Sequence, residues 1–415
     1  MVAGIVHRLA LVSMFAGMAA AGTASLSGPS QPLTSPNRAQ PRLVRPRVAA
    51  THQSRRQQAA TRPPCQAASL HARAGAVLVV GLPRVTDASQ PLVDEVLGLG
   101  VGGVLLSGAN VRSQSQVTTL VHDLRRRSAQ PLVVATDEES GRVSTFTAIF
   151  GSSRSARRLA AEASPAAVRE QARRLGSNLA ALGIDLDFAP VADLDAGPSR
   201  GVVGDRSFSA DAATAAQYAL AFAGGLGDAG VRPTAKHFPG HGPATGDDHT
   251  GRATAGTSLE DLKATHLQPF VQLVRAGVPV VMMSNVDYAA LDPELPASLS
   301  PKAYRLLRDV GFTGVAMTDS VGMAAVDQRW DAAKAAVQAI TAGADGVLVT
   351  NGAMAKHMVH ALVAGVQTGQ LDERRLNEAA ARMAALAGRD PVALTCQPAT
   401  LPVLRTGTST GTASP

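Results

Sequence analysis

Eight short apolar runs constrain this chain more than any other feature, because each is followed by polar residues and then by a longer amphipathic stretch. The runs are AVLVVGL (76–82), GGVLLSG (102–108), PLVVATD (131–137), IDLDFAPV (184–191), RPTAKHF (232–238), VPVVMMSN (278–285), TGVAMTD (313–319) and DGVLVTN (345–351). Their length and their Val, Leu and Met content read as strands buried on both faces. Between them lie stretches such as AAVREQARRLGSNLAALG and SLEDLKATHLQPFVQLVRAG, with apolar residues three and four apart, as in amphipathic helices. Several end in Gly just before the next run, the usual helix stop. Eight such units between residues 70 and 390 predict an α/β chain folded as a single (β/α)8 TIM-type barrel. A doubly wound open sheet is the alternative. The barrel is favoured by where the polar residues fall. TDEES, DLDAGPSRGVVGDRSF, KHFPGHG, SNVDY, TDS and TNG follow runs three to eight in turn. In a barrel these segments converge on the one face that carries the active site.

The flanks read differently. Arg8 and the apolar run Leu9 to Ala21 resemble a secretory leader, too short to span a bilayer comfortably, with cleavage expected after Ala21 or Ala24. No cysteine lies near that site, so neither a lipid anchor nor a stable membrane anchor is expected. The expected division is a signal peptide at 1–24, a Pro/Arg-rich disordered linker at 25–65, the barrel domain at 66–390 and a loose tail at 391–415, with a secreted or cell-envelope location. The chain has two cysteines, Cys65 and Cys396, which flank the barrel region and in an exported protein are expected to form one disulfide.

The net charge of +7 argues less for an anionic partner than it first suggests. No Asp or Glu precedes Asp87, and Arg38, Arg42, Arg45, Arg47, Arg55, Arg56 and Arg62 alone equal the net charge. A solvated basic linker, weakly attracted to an anionic cell wall or membrane, fits better than a nucleic-acid arm. Aromatic residues make up only 3% of the chain, which argues against a surface of stacked rings for single strands.

The fifth run opens into KHFPGHGPATGDDHTG (236–251), which holds three of the ten histidines. Two chemistries compete for it. His237 and His241 have the four-residue spacing of a helical zinc pair, but Pro239 and Gly240 between them oppose a helix, and the chain lacks HExxH and CxxC. No metal or other cofactor is expected. The second reading is proton transfer. A carboxylate at Asp247 beside His249 favours the imidazolium and suits a group that gives and retakes a proton. Asp319, closing the seventh run, is a candidate nucleophile, although from position alone a helix-capping role is equally compatible.

KHFPGHG followed by DxH, with TDSxxM downstream, resembles glycoside hydrolase family 3, and within it the single-domain β-N-acetylglucosaminidases (β-N-acetylhexosaminidases). DEESGRV (137–143) is similar to the family's DxEGGRV, and GDRSF (204–208) to its GxRS followed by Phe or Tyr. The resemblance spans about residues 70 to 390 and implies a (β/α)8 barrel acting on a small carbohydrate. Residue by residue it implies that Asp319 is the nucleophile, and that His249 is the acid/base with Asp247 as its partner. It further implies that Asp137, Arg206, Lys236 and His237 hold the terminal sugar's hydroxyls. His241 is expected only to shape the loop. The glycine-rich loop is expected to move over the sugar and withdraw. Two positions depart from the family pattern. Ser140 stands in place of Gly, and Thr145 in place of an arginine that contacts substrate in many members. The implied activity is removal of terminal β-linked GlcNAc, with peptidoglycan fragments as the implied natural substrate. Phosphorolysis on the same scaffold and a catalytically weak wall-binding barrel are the alternatives.

Overall fold

The computed structural model describes residues 65–405. The expected signal peptide, and the expected linker up to residue 64, lie outside the described residues. Eight parallel strands form the central sheet: β1 (Leu78–Gly81), β2 (Gly103–Leu106), β3 (Val133–Thr136), β4 (Leu186–Asp187), β5 (Arg232–Phe238), β6 (Val280–Met283), β7 (Val315–Thr318) and β8 (Val347–Val349). Each pairs with its sequence neighbours, β1 pairs with β8, and a parallel bridge from Met317 to Gly346 joins β7 to β8. The sheet thereby closes, and the expected (β/α)8 barrel is present.

Alternation along the strands sorts the side chains. Val79, Leu105, Val133, Ala135, Leu186, Phe188, Val280, Met282, Val315, Met317 and Leu348 form one buried cluster, the barrel interior. Their neighbours, such as Leu78, Val80, Val104, Leu106, Val134, Val281 and Ala316, pack in a second cluster with the surrounding helices. On β5 the same parity gives Thr234 and Lys236 to the interior and Ala235 to the helix side. The foot of the barrel is sealed by Met383 and Leu386 of the helix Glu373–Leu386. Nearby, buried Asp345 before β8 receives Arg308 at 2.7 Å, Arg375 at 2.6 Å and Arg382 at 2.9 Å, and accepts the Ala316 N–H.

The helices start where short polar side chains can accept their free N–H groups. Ser113, Ser164, Asp211, Ser300 and Asp331 each cap a helix in this way. Residues after 390, expected to be a loose tail, are instead structured as far as Arg405. A short helix Pro391–Thr395 buries Leu394, whose carbonyl accepts the Ala68 N–H, and the Arg405 N–H donates to the Ala276 carbonyl. Cys65 and Cys396 are bonded in the structure, with Cα atoms 5.8 Å apart. None of the described helices is long and apolar enough to cross a membrane.

Candidate active site

The polar ends of the strands meet at the C-terminal face of the barrel, around a cavity of about 250 Å³. Its floor is made by Leu105, Phe188, Met282 and Leu348, one from each even-numbered strand or its end, the layered filling that parallel barrels use. Its walls include Asp137, Arg206, Lys236, His237, His241, Asp248, His249 and Asp319. Six of the seven residues expected at the site therefore share one pocket. The seventh, Asp247, stands behind His249 rather than in the wall.

Lys236 reaches the pocket because it points inward from β5, where its side chain is 1% exposed. Its ammonium lies 2.6 Å from Asp137 Oδ1 and also pairs with Glu139. Arg206 sits on a 3-10 turn, Gly204–Arg206, which Arg157 braces by donating to the carbonyls of Asp195, Gly197 and Gly204. The Arg206 guanidinium binds Glu139 through two bonds of 2.6 Å. Glu139 is thus a buried carboxylate clasped by two buried cations. Burial pushes its carboxyl up, but Arg206 first and then Lys236 outweigh that and hold it well below the usual carboxylate range. The same charges keep Lys236 and Arg206 firmly cationic against their own burial.

His237 is fixed from behind. Its ring Nδ1 is 2.7 Å from Asp193, a fully buried carboxylate that also accepts the backbone N–H groups of His237 and His241. Asp193 loses solvation on burial, yet His237 and His241 keep its carboxyl below the usual range. With Nδ1 donating to Asp193, Nε2 of His237 faces Arg206 at 3.4 Å and Asp319 Oδ2 at 4.0 Å. Asp319 follows β7. Its backbone N–H donates to the Met283 carbonyl, and its Oδ1 accepts the Ser320 N–H at 2.7 Å. Oδ2 is the oxygen left toward the pocket.

His249 lies on the turn between two short strands, Ala244–Thr245 and Thr254–Ala255. Its Nδ1 makes an aligned hydrogen bond of 2.9 Å with Asp247 Oδ1, and Asp248 Oδ1 approaches the same atom at 3.2 Å out of line. The nearby Asp248 carboxylate is the largest influence on the ring. Partial burial opposes it, Asp247 and Asp319 add to it, and the pKa of His249 is raised to about 9. Asp248 also lies 3.2 Å from His241, which is why His241 is raised despite its burial and Asp248 is lowered despite its own. Gly242 allows this turn its path: a Cβ there would stand 1.6 Å from the Leu194 carbonyl oxygen.

The loop expected to be mobile is docked in this structure. The Ala325 N–H donates to the Asp248 carbonyl, Gln328 reaches the Thr250 carbonyl, and the Thr254–Ala255 arm pairs with Asp287–Tyr288. The two positions that depart from the family pattern are both buried. Ser140 has φ +78°, a left-handed conformation that favours glycine. Thr145 turns its hydroxyl to the Asp137 carbonyl and presents no charge to the pocket.

Three residues at this site escape sequence reasoning: Glu139, Asp193 and Asp248. Each is an acid within two residues of another acid, in DEES, ADLD and GDDH. The acids were visible; which one turned inward was not. Among the described residues, Asp247, Asp248 and His249 also form the one group close enough to hold a metal ion. Both carboxylates already lie beside His249, and Asp248 also lies beside His241.

A cavity of this size, lined by two cations and three carboxylates above an apolar floor, suits one small ligand rich in hydroxyls. Asp319 and His249 line this same cavity. The model of a family described as "Glycosyl hydrolase family 3 N terminal domain" matches residues 72–386. The chain is 36% identical over 323 residues to the beta-hexosaminidase LpqI of Mycobacterium tuberculosis, covering 76% of this chain and 82% of that protein. Among solved structures it is similar to a family 3 glycosyl hydrolase of Mycobacterium smegmatis, with a TM-score of 0.73 at 37% identity over 77% of this chain and 97% of that one. It is also similar to a family 3 β-N-acetylglucosaminidase of Paenibacillus, with a TM-score of 0.73 at 31% identity over 83% of this chain and 65% of that one. Fold, site and kinship agree: the chain belongs to glycoside hydrolase family 3 and is an enzyme of its beta-hexosaminidase group.

Proposed function

We propose that this chain is an exported, retaining exo-β-N-acetylglucosaminidase that removes terminal β-linked GlcNAc, with peptidoglycan fragments as its natural substrates. One observation carries the reading: Asp319 Oδ2 and the imidazolium of His249 line a single small pocket whose other walls are hydroxyl-binding charges. In the first step Asp319 Oδ2 attacks the anomeric carbon as His249 gives its proton to the departing glycosidic oxygen. The C–O bond to the aglycone breaks, and a glycosyl ester of Asp319 remains. In the second step His249, now neutral, takes a proton from water, whose oxygen attacks the anomeric carbon and releases Asp319. Asp247 and Asp248 stabilise the imidazolium in both directions. Asp137, Lys236, Arg206 and His237 hold the sugar hydroxyls.

Most retaining enzymes use two carboxyl groups about 5–5.5 Å apart. Here the proton donor is a histidine held by carboxylates, and its raised pKa supports the acid role at neutral pH. Export is supported by the leader-like N-terminus and by the Cys65–Cys396 bond, which needs an oxidising compartment to persist. Kinship with beta-hexosaminidases supports release of GlcNAc, export would bring the enzyme to the cell wall, and the basic stretch before residue 63 would favour contact with an anionic wall.

The experiment is hydrolysis of aryl β-glycosides of GlcNAc, glucose and xylose by the mature protein, with and without inorganic phosphate. The reading expects turnover of the GlcNAc substrate alone, with free GlcNAc as product under both conditions. Preference for glucoside or xyloside would defeat the substrate assignment. Release of GlcNAc-1-phosphate would replace hydrolysis by phosphorolysis.

A further inference from the structure

The loop that carries Asp247, Asp248 and His249 has no barrel strand or helix of its own. It leaves β5 through Gly240, turns at His249 and returns through Arg252 and Ala253. Two adjacent residues beyond β6 grip both arms. The Tyr288 hydroxyl, buried with the rest of its ring, donates to the Gly240 carbonyl at 2.7 Å on the outgoing arm. The carboxylate of Asp287, 4% exposed, pairs closely with Arg252 on the returning arm, and the Asp287 N–H donates to the Ala253 carbonyl at 3.0 Å. The Asp287–Tyr288 strand pairs in parallel with Thr254–Ala255.

A third element is tied in. Arg329 donates to both Asp287 oxygens at 2.9 and 2.7 Å and to the Glu294 carbonyl at 2.7 Å, and its guanidinium stacks on Trp330 at 4.2 Å. Arg329 lies just past the helix Ala324–Asp327, whose Ala325 N–H holds the Asp248 carbonyl. That helix follows Asp319 after one turn of chain. Asp287 therefore links the arm bearing the proton donor to the arm bearing the nucleophile. A buried carboxylate between two guanidinium groups is costly to leave unpaired, so the link has a preferred, closed state. Neither Asp287 nor Tyr288 lines the pocket.

We propose that Asp287 and Tyr288 are positioning residues that lock the acid/base loop over the pocket and set the distance between proton donor and nucleophile. The proposal rests on the reading of His249 as the acid/base. A misplaced acid matters only when the leaving group needs a proton, and this separates positioning from general structural support.

The test is kcat/KM on two aryl GlcNAc substrates, one with a dinitrophenyl and one with an unsubstituted phenyl leaving group. The variants are Asp287→Asn, Tyr288→Phe, Arg252→Ala and His249→Ala, with Asp287→Asn and Arg252→Ala also combined with His249→Ala. Asp287→Asn is expected to lower the phenyl rate by about 10–100-fold and the dinitrophenyl rate by less than about threefold. Arg252→Ala, which removes a half-exposed side chain and leaves Asp287 paired with Arg329, is expected to act in the same direction by about 3–10-fold. Neither is expected to add to the loss in His249→Ala. Equal losses on both substrates, or additive losses in the His249→Ala background, would overturn the positioning role while leaving the acid/base reading in place. If His249→Ala itself affects both substrates alike, the acid/base reading falls and this proposal with it.

Discussion

Glu139→Gln is the perturbation that most sharply separates a built site from a collection of charged residues. The substitution keeps the shape of the side chain and removes its charge. Oε1 accepts from both Arg206 Nη2 and Lys236, and Oε2 accepts from Arg206 Nε at 2.6 Å. An amide can keep its oxygen at only one of these places. It will keep the doubly used one and turn its NH2 group toward Arg206 Nε, losing at least one charge-assisted bond, about 1.5–3 kcal/mol. It also leaves Arg206 and Lys236, 9% and 1% exposed, with Asp137 as the remaining pocket carboxylate that pairs with Lys236. Breaking a buried pair in this way costs about 3–5 kcal/mol in total. In a domain of this size that corresponds to a fall in Tm of roughly 4–7 °C. Because the same two cations are read as holding the sugar, KM on an aryl GlcNAc should rise about 10–100-fold, with a smaller change in kcat. Differential scanning fluorimetry and steady-state kinetics measure both. A Tm within about 1.5 °C of the parent, roughly the effect of 1 kcal/mol, would show that Glu139 is not the anchor described above.

Four further expectations can be checked. Ser140→Gly should raise stability by about 0.5–1 kcal/mol in chemical denaturation, since Ser140 holds φ +78° without glycine's freedom; a loss of stability would mean that its buried side chain contributes more than its backbone costs. Asp345→Asn should cost about 3–5 kcal/mol by leaving three arginines around a neutral group. The Asp345 carboxyl is held below the ordinary value despite burial, by Arg308 and then Arg375 and Arg382, so its contribution is present above pH 4 or so and is lost as pH falls through the lowered pKa; the difference between parent and variant should therefore shrink in acid. For poor leaving groups kcat/KM should fall as pH rises through the His249 pKa of about 9, because the acid must be protonated. Asp248→Asn should move that alkaline limb to lower pH, and an unmoved limb would remove Asp248 from the account.

Much of this architecture is legible in the chain. The eight apolar runs coincide with the eight barrel strands because a parallel barrel strand is buried on both faces and needs continuous apolar sequence, broken only at its polar end. Lys236 follows from the same logic: inside RPTAKHF, alternation puts Thr234 and Lys236 on one face and Ala235 on the other. The limits are also physical. In extended chain, neighbouring residues point to opposite sides, so DEES and GDDH reveal acids without revealing which one meets the cations of the site. The backbone decides: in DEES the strand register shifts between Glu138 and Ser140, and Ser140 is left-handed. Asp193 is hidden for another reason, since its partners are the backbone and ring of a histidine forty-four residues away. The docking of the His249 loop depends on Asp287, Tyr288 and Arg329, three residues on two other segments, and no local pattern brings them together. The order of residues 391–405 likewise depends on contacts with Ala68 and Ala276, far away in sequence.

The central claim is that Asp319 forms a covalent bond to the sugar while His249 handles the proton. It is tested most directly by incubating the protein with a fluorinated N-acetylglucosaminyl donor whose enzyme ester turns over slowly, and then locating the label by peptide mass spectrometry. The account predicts one glycosyl unit on the peptide that contains Asp319, accumulation in His249→Ala, and none in Asp319→Asn. Label on Asp137, Asp247 or Asp248, or full turnover by Asp319→Asn, would contradict it.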